Sequence, residues 1–235
     1  MTFVGEKIES DNNNIVRYET TWNDEIIDFL GDHRVRDLPC VPGTGYMVMA
    51  TEMLRNVLDV ETNALVLSDV KFQSFLMVDD SLRTKKIQFE YHKDSNLFLI
   101  RSVSEGGDET IHVTMKVTLE KQENVTALDS IPKDDNEEKI ECGEGFYEML
   151  ANKYQNEFAK LGTVHKQGNN LYSTIKYDSD HTLAPLRKSA FLDVSSHVGI
   201  SVMPLEDRMK GLYAESMGES IFHPSFFKLT SMTNL

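Results

Sequence analysis

Hydrophobic positions recur at steps of three and four residues from Tyr46 onward, which is the spacing of an amphipathic helix. The apolar stripe consists of Tyr46, Met49, Ala50, Met53, Leu54 and Val57. Pro42 suits the first turn, because proline lacks an amide hydrogen and its φ is already near the helical value. We therefore predict a buried helix over residues 43–58.

Four stretches after this helix have the composition of strands and are separated by turn-forming residues. They cover residues 64–76, 85–91, 97–103 and 111–119. In the last stretch apolar and polar residues alternate, as they do on a strand with one buried face. We therefore predict that an antiparallel sheet wraps the helix in the first half of the chain.

The pattern is interrupted by a polar stretch over residues 121–139 that has too few apolar residues to be buried. Beyond it we predict a short helix at 146–154, strands at 159–165 and 170–177, a helix around Asp193, and strands at 211–215 and 226–230. A helix with a sheet thus occurs twice. We divide the chain into an N-terminal half at 1–122, a linker at 123–143 and a C-terminal half at 144–235.

Composition narrows the class of protein. The 235 residues are 40% hydrophobic, which is enough for a substantial core. The net charge of -14 argues against a nucleic-acid partner, because phosphate binding needs clustered basic residues. No apolar run is long enough to span a membrane or to form the core of a signal peptide. Cys40 and Cys142, the only two cysteines, fit a reducing compartment, so we expect a cytoplasmic protein.

Two distant segments carry acid/base chemistry. His33 opens a turn-forming run that stops at Pro42, and Asp193 precedes His197 by four residues, so the latter two share a helix face. Apolar neighbours of this pair make its ionisation sensitive to the environment. Taken singly, a histidine in a turn is most often solvated, and an Asp-His pair at this spacing is most often a weak surface interaction.

Residues 29–50, FLGDHRVRDLPCVPGTGYMVMA, resemble the first active-site segment of dehydratase domains in modular polyketide synthases and animal-type fatty acid synthases. That segment carries HxxxGxxxxP followed by Gly-x-Gly-Tyr at the start of a helix. His33, Pro42 and the start of the helix match. Asp37 stands where the family has glycine, and its carboxylate would oppose negative charge in the site.

Residues 191–200, FLDVSSHVGI, resemble the DxxxQ/H helix of the same family, which places the family's aspartate at Asp193 and its companion at His197. A weaker similarity covers residues 146–158, where Tyr154 matches the tyrosine of the family's YGPxF segment. Gln155 and Asn156 replace the Gly-Pro of that segment.

The resemblance implies an α+β double hotdog, in which two antiparallel sheets lie side by side and each wraps a central helix. It also implies a 3-hydroxyacyl-[acyl-carrier-protein] dehydratase. His33 would remove the C2 proton, Asp193, kept protonated by apolar surroundings, would protonate the leaving hydroxyl, and His197 would orient Asp193. Amides at a helix start would bind the thioester oxygen. The expected substrate-binding residues are Asp37, Pro42, Gly43, Tyr46 and Tyr154.

The resemblance implies no metal and no cofactor beyond the phosphopantetheine arm of an acyl carrier protein. That carrier protein, the acyl thioester and the other domains of the same synthase are the expected partners, and the family pattern allows a homodimer. We therefore expect the chain to be a piece of a larger synthase. The substrate's length, branching and stereochemistry are not encoded in a readable pattern.

Three alternatives stay open at this point. The departures at Asp37, at Gln155-Asn156 and at Lys188-Ser189, where many family members have His-Pro, suggest a dehydratase-like domain that has lost activity and serves as a scaffold or carrier-docking module. A product-template domain, which guides cyclisation, would share the fold and the His/Asp pair. Cys40, close to His33 in sequence, suggests a thiol nucleophile, although that chemistry would leave Asp193 without a role.

Overall fold

The computed structural model describes residues 2–60, 62–121, 136–175, 184–210 and 214–222. The strands in this part of the chain are β1 (Glu6–Ile8), β2 (Ile15–Thr20), β3 (His33–Val35), β4 (Leu38–Pro39), β5 (Asn63–Phe72), β6 (Lys86–His92), β7 (Leu97–Val103), β8 (Glu109–Lys121), β9 (Glu138–Glu141), β10 (Lys153–Tyr154), β11 (Leu161–Gln167), β12 (Asn170–Ile175) and β13 (Ser216–Phe222). The α-helices there are α1 (Asp24–Gly31), α2 (Gly43–Arg55), α3 (Glu144–Glu148), α4 (Ala184–Ser201) and α5 (Leu205–Arg208). Within the same residues no helix is both long and apolar enough to cross a membrane.

The larger sheet wraps α2, as the hydrophobic pattern predicted. Among the described residues it holds seven antiparallel strands in the order β1-β2-β6-β7-β8-β5-β13. Ten of the thirteen residues of α2 are buried, and they pack against inward-facing side chains such as Phe89 and Phe98. The predicted helix and the four predicted strands are confirmed as α2 and β5 to β8. The helix ends at Arg55, three residues early, because the amides of Val57 and Leu58 both turn back to the carbonyl of Leu54.

The first 32 residues, for which the sequence led to no prediction, extend this sheet and cover one end of its core. β1 and β2 form its outer edge, and α1 follows them. The Asn23 side chain caps α1 by accepting the amide hydrogen of Ile26. The buried Trp22 indole donates to the carbonyl oxygen of Phe3, at 2.9 Å, so its polar atom is satisfied within the apolar cluster.

The second half is built around α4, which packs against the three-stranded sheet β12-β11-β9. The predicted strand at 159–165 is confirmed as β11, and the one at 170–177 as β12 as far as residue 175. The short helix predicted at 146–154 overlaps α3 only at residues 146–148, and its last two residues form β10 instead. The end of the predicted linker instead forms β9, which pairs antiparallel with β11. An edge strand with one solvated face tolerates such polar residues. Residues 123–135 of the predicted linker lie outside the described residues, and the division into halves stays a prediction.

The last described strand, β13, lies a few residues beyond the strand predicted at 211–215. Residues 211–213 and the strand predicted at 226–230 lie outside the described residues. β13 pairs antiparallel with β5 of the larger sheet, although it belongs to the predicted C-terminal half. Since β5 follows α2 and β13 follows α4, the two halves meet along equivalent strands. A small sheet, β10-β3-β4, also joins them.

The two central helices approach each other closely where the halves meet. A Cβ added at Gly45 would lie 3.1 Å from Oγ of Ser189 on α4 and 3.2 Å from Cγ of Pro42. Both distances are shorter than ordinary van der Waals contact. The absence of a side chain at Gly45 therefore allows α2 to lie against α4.

We predict that Gly45→Ala lowers the free energy of unfolding. The strain of overpacking, about 1–3 kcal/mol, outweighs the ~1 kcal/mol that alanine normally adds to a helix. Gly31→Ala is the matched control, because a Cβ added at Gly31 in α1 would meet no atom within 4 Å. Urea unfolding of the two variants beside the natural protein measures the difference. Equal stability of the two variants would contradict the close approach of α2 and α4.

Candidate active site

The β3–β4 hairpin holds His33 in one ring orientation and one neutral tautomer. The backbone amide of Cys40 donates to the carbonyl of His33, at 3.1 Å, and Nδ1 of His33 lies 2.9 Å from the carbonyl oxygen of Cys40. A carbonyl oxygen only accepts hydrogen bonds, so Nδ1 carries a hydrogen. When the ring is neutral, the lone pair is therefore on Nε2. His33 is 7% exposed.

Helix α4 brings Asp193 and His197 to the same place from the other half. Oδ2 of Asp193 lies 3.9 Å from Nε2 of His33 and 3.3 Å from Nε2 of His197. Both distances are within the range of an ion pair, but neither contact has the geometry of a hydrogen bond. The three residues singled out from the sequence thus meet in space, and their catalytic roles stay predictions.

Thr44, which the sequence analysis did not select, joins the site from the first turn of α2. Its hydroxyl oxygen lies 3.3 Å from Oδ1 of Asp193 and 3.3 Å from the carbonyl oxygen of Ser189. Because the hydroxyl has one hydrogen, it donates to only one of these two acceptors at a time. The Gly-Thr-Gly run at the start of the helix was the signal that could have identified Thr44.

The electrostatic environment of Asp193 differs from the expectation. Burial alone would raise the pKa of its carboxyl, but the charge of His33, the contact with His197 and the Thr44 hydroxyl outweigh burial, and the pKa lies below its usual value. Asp193 is therefore ionised in the free site. The expectation that apolar surroundings keep it protonated was wrong, because the polar groups come from other elements and not from its sequence neighbours.

Two tyrosines enclose the histidines. Tyr154 on β10 pairs with His33 across the small sheet, and its ring centroid lies 4.3 Å from that of His197 and 5.5 Å from that of His33. Burial raises the pKa of the Tyr154 hydroxyl, which accepts a hydrogen bond from Asn152 at 3.2 Å. The second tyrosine is Tyr147 on α3, for which the sequence predicted no role in the site. Its hydroxyl oxygen lies 3.2 Å from Nδ1 of His197.

The site opens into a cavity of about 690 Å³. His33, Asp193 and Tyr154 line it together with apolar side chains such as Phe72 and Met217. Of the other predicted substrate-binding residues, Gly43 and Tyr46 also line the cavity. Pro42 does not. It is buried at the start of α2, where its carbonyl accepts the amide hydrogen of Gly45. His197 does not line the cavity either, but it contacts Asp193, which does.

The structure does not bring Asp37 into the site. Asp37 is exposed in the turn of the β3–β4 hairpin, outside the cavity lining, and its carbonyl accepts a hydrogen bond from Arg34. The hairpin's hydrogen-bonded pair of His33 and Cys40 lies at the opposite end from this turn. The structure therefore gives no support to the expected contact between Asp37 and the substrate. Gly43 and Thr44, whose first-turn amides have no intrahelical acceptor, both line the cavity.

The loop that carries Tyr154 differs from the family's Gly-Pro in a way that the structure explains. Asn156 has a φ of +46°, which proline, fixed near -65°, does not adopt. Its side-chain amide donates to the carboxylate of Asp32 at 2.9 Å, and the amide of Gln155 donates to the carbonyl of Asp32 at 3.0 Å. These two bonds tie the loop to the residue that precedes His33.

Cys40 faces the cavity, and burial raises the pKa of its thiol to about 11. The thiol is therefore neutral at physiological pH, which argues against the alternative of a thiolate nucleophile. Among the described residues, no three His, Cys, Asp or Glu side chains are grouped so that they could hold a metal ion.

Comparison with known families places these observations in context. Residues 2–105 match the family model described as the polyketide synthase dehydratase domain. This N-terminal part of the chain is therefore similar to polyketide synthase dehydratase domains. A comparison with curated proteins found no match.

Solved structures of dehydratases share the fold over most of the chain. A variant of the GphF dehydratase is 16% identical, with a TM-score of 0.75 over 95% of this chain and 83% of that one. The dehydratase domain from the CurF module of the curacin polyketide synthase is 21% identical, with a TM-score of 0.73 over 92% and 81% of the two chains. The dehydratase domain of RzxB from Pseudomonas fluorescens is 17% identical, with a TM-score of 0.72 over 93% and 81%. The predicted double hotdog is thus confirmed as the fold.

We predict that Thr44→Val reduces turnover about five- to tenfold, because one hydrogen bond to Asp193, worth ~1 kcal/mol, is lost while the shape is kept. Thr51→Val is the matched control. Thr51 is also buried in α2, but its hydroxyl donates to the carbonyl of Val48 within the helix. Steady-state rates of both variants provide the comparison. The assignment would fail if both changed turnover equally.

Proposed function

We propose that this domain eliminates water from a 3-hydroxyacyl thioester carried on the phosphopantetheine arm of an acyl carrier protein, giving a 2-enoyl thioester. The observation that carries the proposal is the pairing of His33 and Asp193, which come from different halves and lie 3.9 Å apart at the wall of one cavity. The similarity of the N-terminal part to dehydratase domains and the fold of the whole support it.

His33 acts as the base. The bond from Nδ1 to the carbonyl of Cys40 directs the Nε2 lone pair of the neutral ring toward Asp193 and the cavity. Nε2 takes the proton from C2 of the substrate, and the electron pair of the C2–H bond moves toward the thioester carbonyl. Nδ1 keeps its hydrogen throughout, so the ring gains one proton and becomes an imidazolium.

Asp193 acts as the acid. Its protonated carboxyl gives a proton to the 3-hydroxyl, the C3–O bond breaks with that oxygen leaving as water, and the C2–C3 double bond forms. The site ends with an imidazolium at His33 and a carboxylate at Asp193. One proton moving from His33 to Asp193 restores the reactive form, so no external acid or base is consumed.

The lowered pKa of Asp193 means that its carboxyl is ionised in the free site. The reactive form instead has a protonated Asp193 beside a neutral His33. We propose that substrate binding favours this form, because filling the cavity removes the water that solvates the carboxylate.

The thioester oxygen, which becomes negative as the C2 proton leaves, needs hydrogen-bond donors. The first-turn amides of α2 at Gly43 and Thr44 are the donors that we propose, in place of the amide at Asp37. The positive end of the helix dipole adds to this stabilisation. The apolar part of the cavity lining, including Phe72 and Met217, suits an acyl chain.

The carrier protein and the neighbouring synthase domains are the partners that this reaction requires, and the phosphopantetheine arm is the only cofactor. A homodimer and a cytoplasmic location stay predictions. The inactive scaffold is less well supported than the enzyme, because Asp37, one of the departures that suggested it, lies outside the cavity lining. No observation favours a product-template domain.

We predict that His33→Ala and Asp193→Asn each reduce dehydration about 10²- to 10⁴-fold, the range that general acid/base groups contribute. The assay follows loss of water by mass spectrometry from a (3R)-hydroxyacyl thioester on carrier protein or pantetheine. Asp37→Asn is the control and should leave the rate within about twofold, because its side chain is solvent-exposed and outside the cavity. Unchanged turnover in His33→Ala would overturn the proposal.

The proton balance between His33 and Asp193 also predicts a pH dependence. At low pH both groups hold a proton and His33 cannot act as a base, and kcat/KM rises with pH as the pair loses its first proton. We expect the acidic rise of kcat/KM to be complete by about pH 5, because an Asp193 with a lowered pKa has lost its proton by then. A rise that continued above about pH 5 would contradict the lowered pKa of Asp193.

A further inference from the structure

The hydroxyl of Tyr147 lies in a buried apolar environment, where each of its hydrogen-bonding atoms needs a partner. It accepts the amide hydrogen of Leu161, at the start of β11, at 3.1 Å. Its oxygen lies 3.2 Å from Nδ1 of His197. Burial raises the pKa of this phenol, so it keeps its hydrogen. The amide of Leu161 can only donate, so Nδ1 of His197 is the partner, among the described residues, that can accept the hydrogen of the phenol.

This contact determines which nitrogen of His197 carries the hydrogen when the ring is neutral. A donated hydrogen bond at Nδ1 requires a lone pair there, so the hydrogen is on Nε2. Nε2 lies 3.3 Å from Oδ2 of Asp193, and the described residues offer neither atom another hydrogen-bond partner. The ring of Tyr154, 4.3 Å from that of His197, covers one face of the imidazole.

The orientation of this hydrogen matters in the reactive form of the site. There Asp193 is protonated, and its hydrogen has to reach the substrate hydroxyl. If the hydrogen of His197 were on Nδ1, the lone pair on Nε2 would accept the carboxyl hydrogen and hold it away from the substrate. With the hydrogen on Nε2, His197 can only donate to Asp193, and the carboxyl hydrogen stays available.

We propose that Tyr147 is a positioning residue for the dehydration, which fixes the tautomer of His197 and thereby keeps the proton of Asp193 directed to the substrate. The catalytic role of Tyr147 rests on the proposed function. The tautomer of His197 does not depend on that function. One chain of contacts runs from Leu161 through Tyr147 and His197 to Asp193. The amide of Leu161 can only donate, so the phenol of Tyr147 donates to His197, and the hydrogen on Nε2 of His197 faces Asp193.

The test is Tyr147→Phe, which removes the hydroxyl and keeps the ring. We expect kcat to fall about tenfold, as for one lost hydrogen bond to a reacting group, while KM changes less than about twofold. In ¹⁵N spectra of the imidazole side chains, His197 should be the Nε2–H tautomer in the natural protein and lose that preference in the variant. Tyr91→Phe is the matched control, because the Tyr91 hydroxyl donates to Asn96 far from the site.

Each outcome bears on the proposal. An Nδ1–H tautomer of His197 in the natural protein would overturn it even if the variant failed to fold. An altered tautomer with unchanged kcat would also overturn it, as would a fall in kcat matched by Tyr91→Phe. If the natural protein dehydrated no thioester, the proposed function would fail, and the tautomer measurement would still decide whether Tyr147 orients His197.

Discussion

The contact between the two central helices is the constraint on which the site depends. Each half contains one of the two residues to which we assign the reaction, His33 beside α2 and Asp193 on α4. The packing of Gly45 against Ser189 determines how near α4 can come, and Thr44, one residue away, reaches Asp193 across the same contact. A displacement of a few tenths of an ångström there would change the distance between His33 and Asp193. The spacing of these two residues is therefore a property of backbone packing.

The same arrangement explains why the ionisation of Asp193 depends on several neighbouring residues together. Asp193 is nearly fully buried, which by itself disfavours its charge, yet two imidazoles and a hydroxyl from α2, β3 and α4 reverse the direction of the shift. Burial makes these interactions strong because little water screens them. The ionisation of Asp193 is therefore set by all of these groups together.

The sequence was sufficient for features set by local periodicity. The apolar stripe of α2, the alternation in β8 and the helix face shared by Asp193 and His197 all follow from spacing, and the resemblance located His33. Features set by contacts between distant segments could not be predicted in this way. Asp37 lies only four residues from His33, but a hairpin turn carries it out of the site. The bonds of Tyr147 and Thr44 depend on partners 50 and 149 residues away. The ionisation of Asp193 was misjudged for the same reason, because its neighbours in space are not its neighbours in sequence.

The pairing of β5 with β13 has a mechanical consequence. Six residue pairs, from Lys71 with Ser216 to Leu65 with Phe222, fasten the strand that follows one central helix to the strand that follows the other. Separation of the halves would break this ladder and detach β13 from the edge of the sheet that wraps α2. In the reaction that we propose, the substrate therefore enters the cavity while the halves stay joined, and the proposed phosphopantetheine arm supplies the reach and flexibility needed for delivery.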